Sequence, residues 1–360
     1  MLPSKHTRIG VDIGATGVRA VQLLRQGDAY VVRAVANSGR SVDDHKAEAL
    51  PLERRIATCL SAGGFRGRDL VVGAQAGHIE YHLIDLPGVM VAKADEETTQ
   101  AVRWEVGSLM GEPAENIEAG YWLVPPPSSP GPNTLAVGIR EQSVRTTFDA
   151  CLRAGSTCGS IDAPAAALCR AVLALRPDAN RTVWGILDLG FEQTRLVVCV
   201  DDTPVLVRSV GPGGAQWTQR IAETLSISEK AAEVHNCEYG VERIGRGSSV
   251  EAADVDPGSE LASLLYRAIR TDLIALASET QRSFQYVLGC YAGRELSDLV
   301  LVGGGANLKG LDAFIGGQIG SPVLLASALL NKNGSRVQFS STRGESFERL
   351  TLAVGLAMPS

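Results

Sequence analysis

The chain has 360 residues, of which 45% are hydrophobic and 21% charged, and its formal net charge is −6. This composition is typical of folded globular proteins, leaves room for two or three domains and excludes a disordered chain. The negative net charge, without any run of Lys or Arg longer than a pair, argues against a nucleic-acid partner.

The cysteines and the lack of long apolar stretches indicate a soluble protein of a reducing compartment. None of the seven cysteines forms a Cys-x-x-Cys pair, which excludes a zinc ribbon and a thioredoxin-like motif. The first residues lack the apolar core of a signal peptide, and no apolar stretch reaches the ~18 residues that span a bilayer. We therefore expect a cytoplasmic protein with no direct membrane insertion, whose membrane association runs through a partner.

The first half of the chain opens with three predicted strands joined by two short turns. They cover residues 8–14, 18–24 and 30–36, and their spacing predicts an antiparallel meander. A helix from Leu52 to a stop at Gly63 follows.

A different block, roughly residues 76–140, interrupts the first half. A strand at 78–86 and a helix at 94–110 are followed by strands at 121–124 and 134–139, which flank a proline-rich loop. The block is therefore predicted to be a small inserted α+β subdomain. The first half then resumes with two helices. The first starts at Ser143 with Val144, Phe148 and Leu152 facing inward, and the second covers 161–175.

Two features of the inserted block leave alternatives open. His78, Glu80 and His82 share one strand face, which is typical of a metal site and, more often, of a half-exposed strand. Trp104, Tyr121 and Trp122 indicate either a partner surface or burial in the core of the block.

The opening of the chain recurs in its second half. Residues 184–190, 194–200 and 204–210 again predict three strands with short turns. Three positions agree when the two copies are aligned: Asp12 with Asp188, Gly14 with Gly190, and Arg19 with Arg195. The repeat predicts an internal duplication, with a first half at 1–180 and a second half at 181–360.

The rest of the second half is predicted to hold a subdomain and a third glycine motif. Helices from 214 onward and over 261–291 predict a helical or α+β subdomain at about 214–290. The intervening stretch 245–260, rich in Gly, Ser and acidic residues, is predicted to be a mobile loop. The strand at 299–302 then leads into Gly303-Gly304-Gly305.

The turn that follows Asp12 has the residue types of a phosphate loop. Gly14, Ala15, Thr16 and Gly17 are small, so backbone N–H groups can approach phosphate oxygens without obstruction. The Asp12 carboxylate would repel phosphate, but it suits the water shell of Mg²⁺, which takes few direct carboxylate ligands. Two such turns facing each other can hold a triphosphate between them.

The glycine motif at 303–305, with Ala306 and Asn307 and a predicted helix after it, is typical of a nucleotide site in α/β folds. It is not Gly-x-Gly-x-x-Gly with a later acidic residue, which disfavours a dinucleotide site. The chain also contains no Gly-x-x-x-x-Gly-Lys-Ser/Thr motif, which excludes a P-loop protein.

These three motifs, in this order, resemble those of the actin-like superfamily, which includes actin, sugar kinases, heat-shock chaperone ATPase domains and the cell-division protein FtsA. In particular, the chain resembles the PilM family of type IV pilus assembly. The resemblance rests on residues 10–14, 18–21, 161–168, 279–283, 303–311 and 353–357. It covers essentially the whole chain and implies an α/β fold of two duplicated actin-like (ribonuclease H-like) halves with an inserted α+β subdomain.

The resemblance also implies which residues bind ATP and Mg²⁺. Asp12 would order Mg²⁺ through water, and Arg19 stands where the family usually has Lys. The other implied residues are Gly14, Ala15, Thr16 and Gly17 in the first phosphate loop, Asp188, Gly190 and Thr194 at the second, Gly303, Gly304, Gly305 and Asn307 along the adenosine, and Glu233 at the ribose.

The second phosphate loop departs from the family pattern. Phe191, Glu192 and Gln193 stand where the family has small or hydroxyl residues, so a ring and a carboxylate would crowd and repel the terminal phosphate. The one candidate for a residue that positions a hydrolytic water is Asp162. We therefore expect ATP binding with slow or absent turnover.

The resemblance implies an adaptor that binds the cytoplasmic N-terminal peptide of an inner-membrane pilus protein of the PilN type. The peptide would lie against the first half and the inserted subdomain, at the inner face of the inner membrane, and a homo-oligomer stays open. The alternatives are a sugar or small-acid kinase, for which no convincing base is present, and an FtsA-like or type II secretion scaffold. The lack of an amphipathic helix at the C-terminal end disfavours the FtsA-like alternative.

Overall fold

The computed structural model describes residues 5–39, 50–88, 95–176, 182–241, 257–330, 332–340 and 345–359. The strands are β1 (Lys5–Gly14), β2 (Gly17–Gln26), β3 (Ala29–Asn37), β4 (Asp69–Gly73), β5 (Ile79–Ile84), β6 (Ile117–Leu123), β7 (Thr134–Arg140), β8 (Thr157–Asp162), β9 (Thr182–Leu189), β10 (Gln193–Val200), β11 (Thr203–Pro212), β12 (Glu295–Val302), β13 (Val323–Leu325) and β14 (Val337–Gln338). The helices are α1 (Leu52–Ala62), α2 (Glu96–Met110), α3 (Glu141–Arg153), α4 (Pro164–Leu175), α5 (Gly214–Leu225), α6 (Glu229–Tyr239), α7 (Pro257–Cys290), α8 (Leu311–Ile319) and α9 (Phe347–Ala357).

Two sheets repeat one strand order. The first runs β14-β3-β2-β1-β4-β8 and the second β11-β10-β9-β12-β13. In each, an antiparallel meander of three strands is followed by two strands parallel to its first member. Residues Leu196–Val200 of β10 are all buried, as expected of a strand covered on both faces. The duplication that the sequence predicts is therefore present in the topology.

Two helices join the sheets. Apart from Arg170, helix α4 is apolar all round, and most of it is buried because it lies between layers. Helix α9 packs on α4 at very short range. A Cβ added to Gly355 would lie 1.9 Å from the Ala167 carbonyl oxygen, and one added to Gly10 of β1 would lie 2.1 Å from the Ala353 carbonyl oxygen. Small residues thus let the backbones of α9, α4 and β1 touch.

The inserted block is a separate three-stranded sheet of order β5-β7-β6, with α2 packed on it. Its small core contains Val102, Val106 and Ile117. The block also contacts the second half, because the indole Nε1 of Trp122 donates a hydrogen bond to the carbonyl of Pro204 at 2.8 Å. In the proline-rich loop, the backbone N–H of Ser128 donates to the end of α7.

Helix α3 does not face the way its apolar spacing predicts. Its buried residues are Thr147, Ala150 and Cys151, whereas Phe148 is 40% exposed and Leu152 is 74% exposed. The face with small side chains is the one that fits against α1 and β8. The inward prediction for Phe148 and Leu152 was therefore wrong, because hydrophobicity alone did not reveal how little room the neighbours leave.

The predicted helix at 161–175 also needs correction. Residues up to Asp162 end β8, and α4 begins at Pro164, where the fixed φ of proline suits the first turn of a helix. Residues 245–256 of the predicted mobile loop lie outside the described residues. The rest of the predicted loop, from Pro257 onward, belongs to helix α7.

The limits of the predicted halves and subdomains stay predictions, and the boundary at 180 falls outside the residues that the structure describes. Within the described ranges, no helix is both long and apolar enough to cross a membrane. Among the same described residues, no three metal-ligating side chains are grouped so that they could hold a metal ion. This applies to His78, Glu80 and His82 as well.

Candidate functional site

A cleft of about 270 Å³ opens between the two sheets. The turns of both β-hairpins, helices α5, α6 and α9, and the glycine motif after β12 surround it. Most residues predicted for the nucleotide line it: Asp12, Gly14, Ala15, Thr16, Arg19, Asp188, Gly190, Glu233, Gly303, Gly304, Gly305 and Asn307. Segments far apart in the chain are thus brought to one place.

Three predicted residues do not line the cleft. Gly17 starts β2 with a φ of +151°, and a Cβ there would lie 2.8 Å from Gly39 Cα. Thr194 is fully buried and donates its hydroxyl to the carbonyl of Pro212. The Asp162 carboxylate is bonded to Arg170 and accepts from the N–H of Ala163. All three positions therefore have a structural role in the fold.

In the first hairpin, the side chain of Arg19 is fixed by polar contacts. Asp12 and Arg19 stand opposite each other on β1 and β2, with 3.5 Å between the Asp12 Oδ2 and Arg19 Nη1 atoms. Arg19 Nη2 also donates to the Thr16 hydroxyl at 3.0 Å. Arg55 donates to the carbonyl of Gly14 at 2.7 Å. The predicted phosphate loop is thus fixed by two guanidinium groups.

Burial raises the pKa of both cleft carboxyl groups, Asp12 and Asp188, above the ordinary value of aspartic acid. The positive charges of Arg19 at Asp12 and of Arg195 at Asp188 oppose the shift, and the charge of Asp12 adds to it at Asp188. Two carboxylates close together in a site of low dielectric constant favour a bound cation.

The backbone carbonyl groups in the turn of the second hairpin accept hydrogen bonds from the start of helix α5. The N–H of Gly213 donates to the Glu192 carbonyl, the N–H of Gly214 to the Gly190 carbonyl and the N–H of Ala215 to the Phe191 carbonyl. The first N–H groups of a helix are the ones that commonly bind phosphate. Here the turn carbonyls occupy them, and the residues of the turn line the cleft.

The third glycine motif follows β12 in the chain and is hydrogen-bonded to helix α9. Gly303 has a φ of +85°, and a Cβ there would lie 2.6 Å from the Leu189 carbonyl oxygen and 2.8 Å from Asp188 Oδ1. Its N–H donates to the carbonyl of Glu348 at 2.9 Å. A short 3₁₀ turn over Gly304–Asn307 follows, and helix α8 begins only at Leu311. The predicted helix N-terminus at the glycines is therefore replaced by this turn.

Trp217 and Arg195 are among the cleft residues outside the predicted set, and the sequence left Arg195 open between a phosphate contact and a strand-surface charge. Arg195 lines the cleft from β10, directly opposite Asp188 in register. The alignment of the two halves pairs it with Arg19, and that was the available signal. The ring of Trp217 on α5 also lines the cleft. A single Trp at a core-facing helical position carries no signal that separates it from an ordinary core residue.

The cleft suits a nucleotide with Mg²⁺. Trp217 Nε1 and Asn236 Oδ1 are buried without a hydrogen-bonding partner among the residues described, and both side chains line the cleft. Buried polar atoms of this kind are stabilised by a ligand that supplies the partner. Asp12 and Asp188 provide the few carboxylates that Mg²⁺ takes beside phosphate oxygens.

Comparison with known proteins gives one family and one fold. The family model described as type IV pilus assembly protein PilM matches residues 10–242. The PilM-PilN type IV pilus biogenesis complex is similar over 98% of this chain and 97% of that chain, with 22% identity and a TM-score of 0.73. The ethanolamine utilization protein EutJ from Carboxydothermus hydrogenoformans is similar over 99% and 90%, with 12% identity and a TM-score of 0.50. The predicted actin-like fold class is confirmed.

Proposed function

Because the chain belongs to the PilM family of type IV pilus assembly proteins, we propose that it is a nucleotide-binding adaptor of that machinery. It would act at the cytoplasmic face of the inner membrane through a membrane partner. The observation that carries the nucleotide role is the cleft itself, where two equivalent hairpins each present an Asp and an Arg between the halves.

In this proposal the cleft binds ATP with Mg²⁺. Bound Mg²⁺ would neutralise phosphate charge, and Asp12 and Asp188 would hold its water shell. The residues at 14–16 would bind phosphate through backbone N–H groups, and Gly303 to Asn307 with Glu233 would lie along the nucleoside. The buried, unpaired polar atoms of Trp217 and Asn236 support a ligand at that end.

The arrangement favours binding over turnover. Asp162, the candidate for positioning water, has its carboxylate bonded to Arg170 and does not line the cleft. The turn at Phe191 and Glu192 lines the cleft where the terminal phosphate would lie. A site that binds a triphosphate without a free base suits a protein whose nucleotide sets its conformation.

Thermal unfolding with and without Mg²⁺ and ATP tests the nucleotide role. Wild type is expected to gain stability with ATP and Mg²⁺ together, because a ligand that binds only the folded state raises its melting temperature. Asp12→Ala is expected to lose most of that gain. No shift in the wild type would contradict nucleotide binding, and an equal shift in both proteins would contradict the role of Asp12.

The partner proposed for this chain is a PilN-like membrane protein, whose cytoplasmic N-terminal peptide would bind at helix α3. The similar solved structure is a complex of PilM with PilN, which supports this choice. Helix α3 links the inserted block to the first half and exposes Phe148 and Leu152, four residues apart on one face. Ion pairs of Arg145 with Glu141 and of Arg153 with Glu53 border these apolar side chains. Such a face suits a short peptide with apolar side chains.

Binding of the first ~20 residues of the candidate membrane partner, as a synthetic peptide, tests the docking face. Phe148→Ser and Leu152→Ser are each expected to weaken binding by about tenfold or more, as loss of an apolar anchor does. Tyr286→Ser, which changes an exposed ring on α7, is the matched control and should bind as wild type does. Unchanged binding by both α3 variants would place the peptide elsewhere. Sedimentation of the free protein would test the homo-oligomer that the sequence leaves open.

A further inference from the structure

Two cationic side chains that line the cleft, Arg195 and Arg349, have no hydrogen bond or ion pair within the described residues, and Arg195 is the more deeply buried of the two. Arg195 is only 7% exposed, and its side chain lines the cleft. Among the residues that the structure describes, it forms neither a hydrogen bond nor an ion pair. A guanidinium carries five N–H donors and never loses its charge in proteins, so leaving it buried and unbonded is costly. The donors of this side chain are therefore available to an acceptor on a bound ligand.

The equivalent residue of the first half shows the contrast. Arg19 occupies the same place on its hairpin, opposite Asp12, and it is bonded to both Asp12 and Thr16. In the second hairpin the residue that corresponds to Thr16 is Glu192, whose backbone carbonyl bonds to helix α5. One arginine thus stabilises its own loop, whereas the other points into the cleft unbonded.

At the second hairpin, the N–H groups that start helix α5 are not free to bind a phosphate. The first N–H groups of helix α5 are bonded to the turn carbonyls of residues 190–192, as described above. The turn at 191–193 has bulky side chains in place of small ones. A phosphate that entered between the hairpins would therefore meet Arg195 as the main donor on this side. Arg is the residue best matched to phosphate, through two parallel N–H donors.

The position of Arg195 identifies which phosphate it would meet. Arg195 stands directly opposite Asp188 in register, and its positive charge opposes the rise that burial causes in the pKa of Asp12, of Asp188 and of Tyr81. Tyr81 belongs to β5 of the inserted block and is not among the residues that line the cleft, whereas Glu233 lines the cleft from α6. With the nucleoside on the α6 side, the far end of the phosphate chain points to Arg195.

We propose that Arg195 binds the terminal phosphate of a nucleoside triphosphate and makes the cleft select triphosphate over diphosphate. The inference rests on the proposed nucleotide site and adds a residue that determines its specificity. A diphosphate leaves Arg195 without an acceptor, so the arginine discriminates between the two nucleotide states even when neither is hydrolysed.

The test measures dissociation constants for a non-hydrolysable ATP analogue and for ADP, both with Mg²⁺, on the full chain. Wild type should bind the analogue more tightly than ADP. Arg195→Gln should weaken analogue binding by about 10- to 100-fold, as loss of a charge-assisted hydrogen bond does, and change ADP binding by less than about threefold. Arg195→Lys keeps the charge without the paired donors, so its loss for the analogue should be smaller.

Arg208→Gln is the matched control, since Arg208 is a half-exposed arginine of β11 paired with Glu279 outside the cleft. It should leave both constants unchanged. If Arg195→Gln weakens both nucleotides equally, or neither, the specificity role is overturned while the nucleotide site stands. If wild type binds neither nucleotide, the proposed site fails and the inference fails with it. Arg195→Lys settles the outcome if Arg195→Gln does not fold, because failure of the Lys variant to lose any affinity for the analogue would also overturn the role.

Discussion

The buried carboxylates of the cleft carry an energetic cost in the free protein. Burial raises the pKa of Asp12 and of Asp188, so each ionised form is less favourable in the folded chain than in the unfolded one. A cation bound between the two carboxylates would make their ionised forms favourable in the folded chain. Buried carboxyl groups of this kind are typical of binding sites. They lower the stability of the free protein and favour the state with a bound ligand.

Asp12→Asn is expected to stabilise the free protein at pH 7 and to abolish most of its stabilisation by ATP with Mg²⁺. A carboxyl whose folded pKa is raised contributes stability below its unfolded pKa of about 3.9 and loses it as the pH rises through the folded value. The melting temperature of the variant should therefore exceed that of wild type at pH 7, and the difference should shrink toward pH 4.

Asp69→Asn is the control, because Asp69 is half-exposed and pairs with Arg8 on the surface. Its effect on the melting temperature should be small at either pH. A gap between Asp12→Asn and wild type that does not depend on pH would contradict the proposed cause.

Gly303→Ala is expected to destabilise the protein by about 1–3 kcal/mol, because a side chain is strained at its positive φ. The added Cβ would also lie 2.6 Å from the carbonyl oxygen of Leu189. Gly304→Ala is the matched control, since the nearest atom to its Cβ is Arg349 Nε at 3.7 Å. Urea unfolding measures both, and equal effects would contradict the argument.

At the scale of elements, the contact between α9 and α4 depends on small residues. The two helices are buried between the sheets, and their backbones touch at Gly355 and Ala167. Helix α9 also supplies Glu348 to the backbone of Gly303 and Arg349 to the wall of the cleft. The helix therefore connects the packing of the halves to the site.

Gly355→Ala is expected to destabilise the protein by several kcal/mol or to prevent folding, because its Cβ would lie 1.9 Å from a backbone oxygen that cannot move without shifting α4. Gly317→Ala, in helix α8, meets no atom within 4 Å and should stabilise by about 0.5–1 kcal/mol through helix propensity. Opposite signs in thermal unfolding are the expected result. Destabilisation by both variants would contradict the packing argument.

At the scale of the molecule, the inserted block contacts both halves. The Tyr81 hydroxyl accepts a hydrogen bond from the N–H of Ala165 at the start of α4. On the other side, Trp122 donates to Pro204 of β11. A block held at both ends is placed to respond when the halves move relative to each other.

Trp122→Phe is expected to lower the free energy of unfolding by about 0.5–1.5 kcal/mol through loss of this hydrogen bond. Trp104→Phe is the control, because Trp104 is 65% exposed. Denaturant unfolding followed by circular dichroism measures both variants. Equal effects would mean that the contact with Pro204 does not stabilise the molecule.

Much of the fold could be predicted from the sequence, because local residue patterns specify its strands and turns. Alternating apolar residues and short turns predicted both hairpins, and the alignment of Asp12 with Asp188 predicted the duplication that the sheets repeat. The family resemblance carried by the three motifs implied most of the cleft residues. These signals are local because a strand, a turn or a tight glycine is specified by its own few residues.

Other features were decided only by the tertiary structure. The pairing of Asp162 with Arg170, the exposure of Phe148 and the turn carbonyls at the start of α5 all depend on which distant atoms lie within reach. The sequence by itself determined that Arg19 and Arg195 are equivalent. Only the three-dimensional packing decided that the Arg19 side chain bonds to Asp12 and Thr16, whereas that of Arg195 bonds to none of the residues that the structure describes.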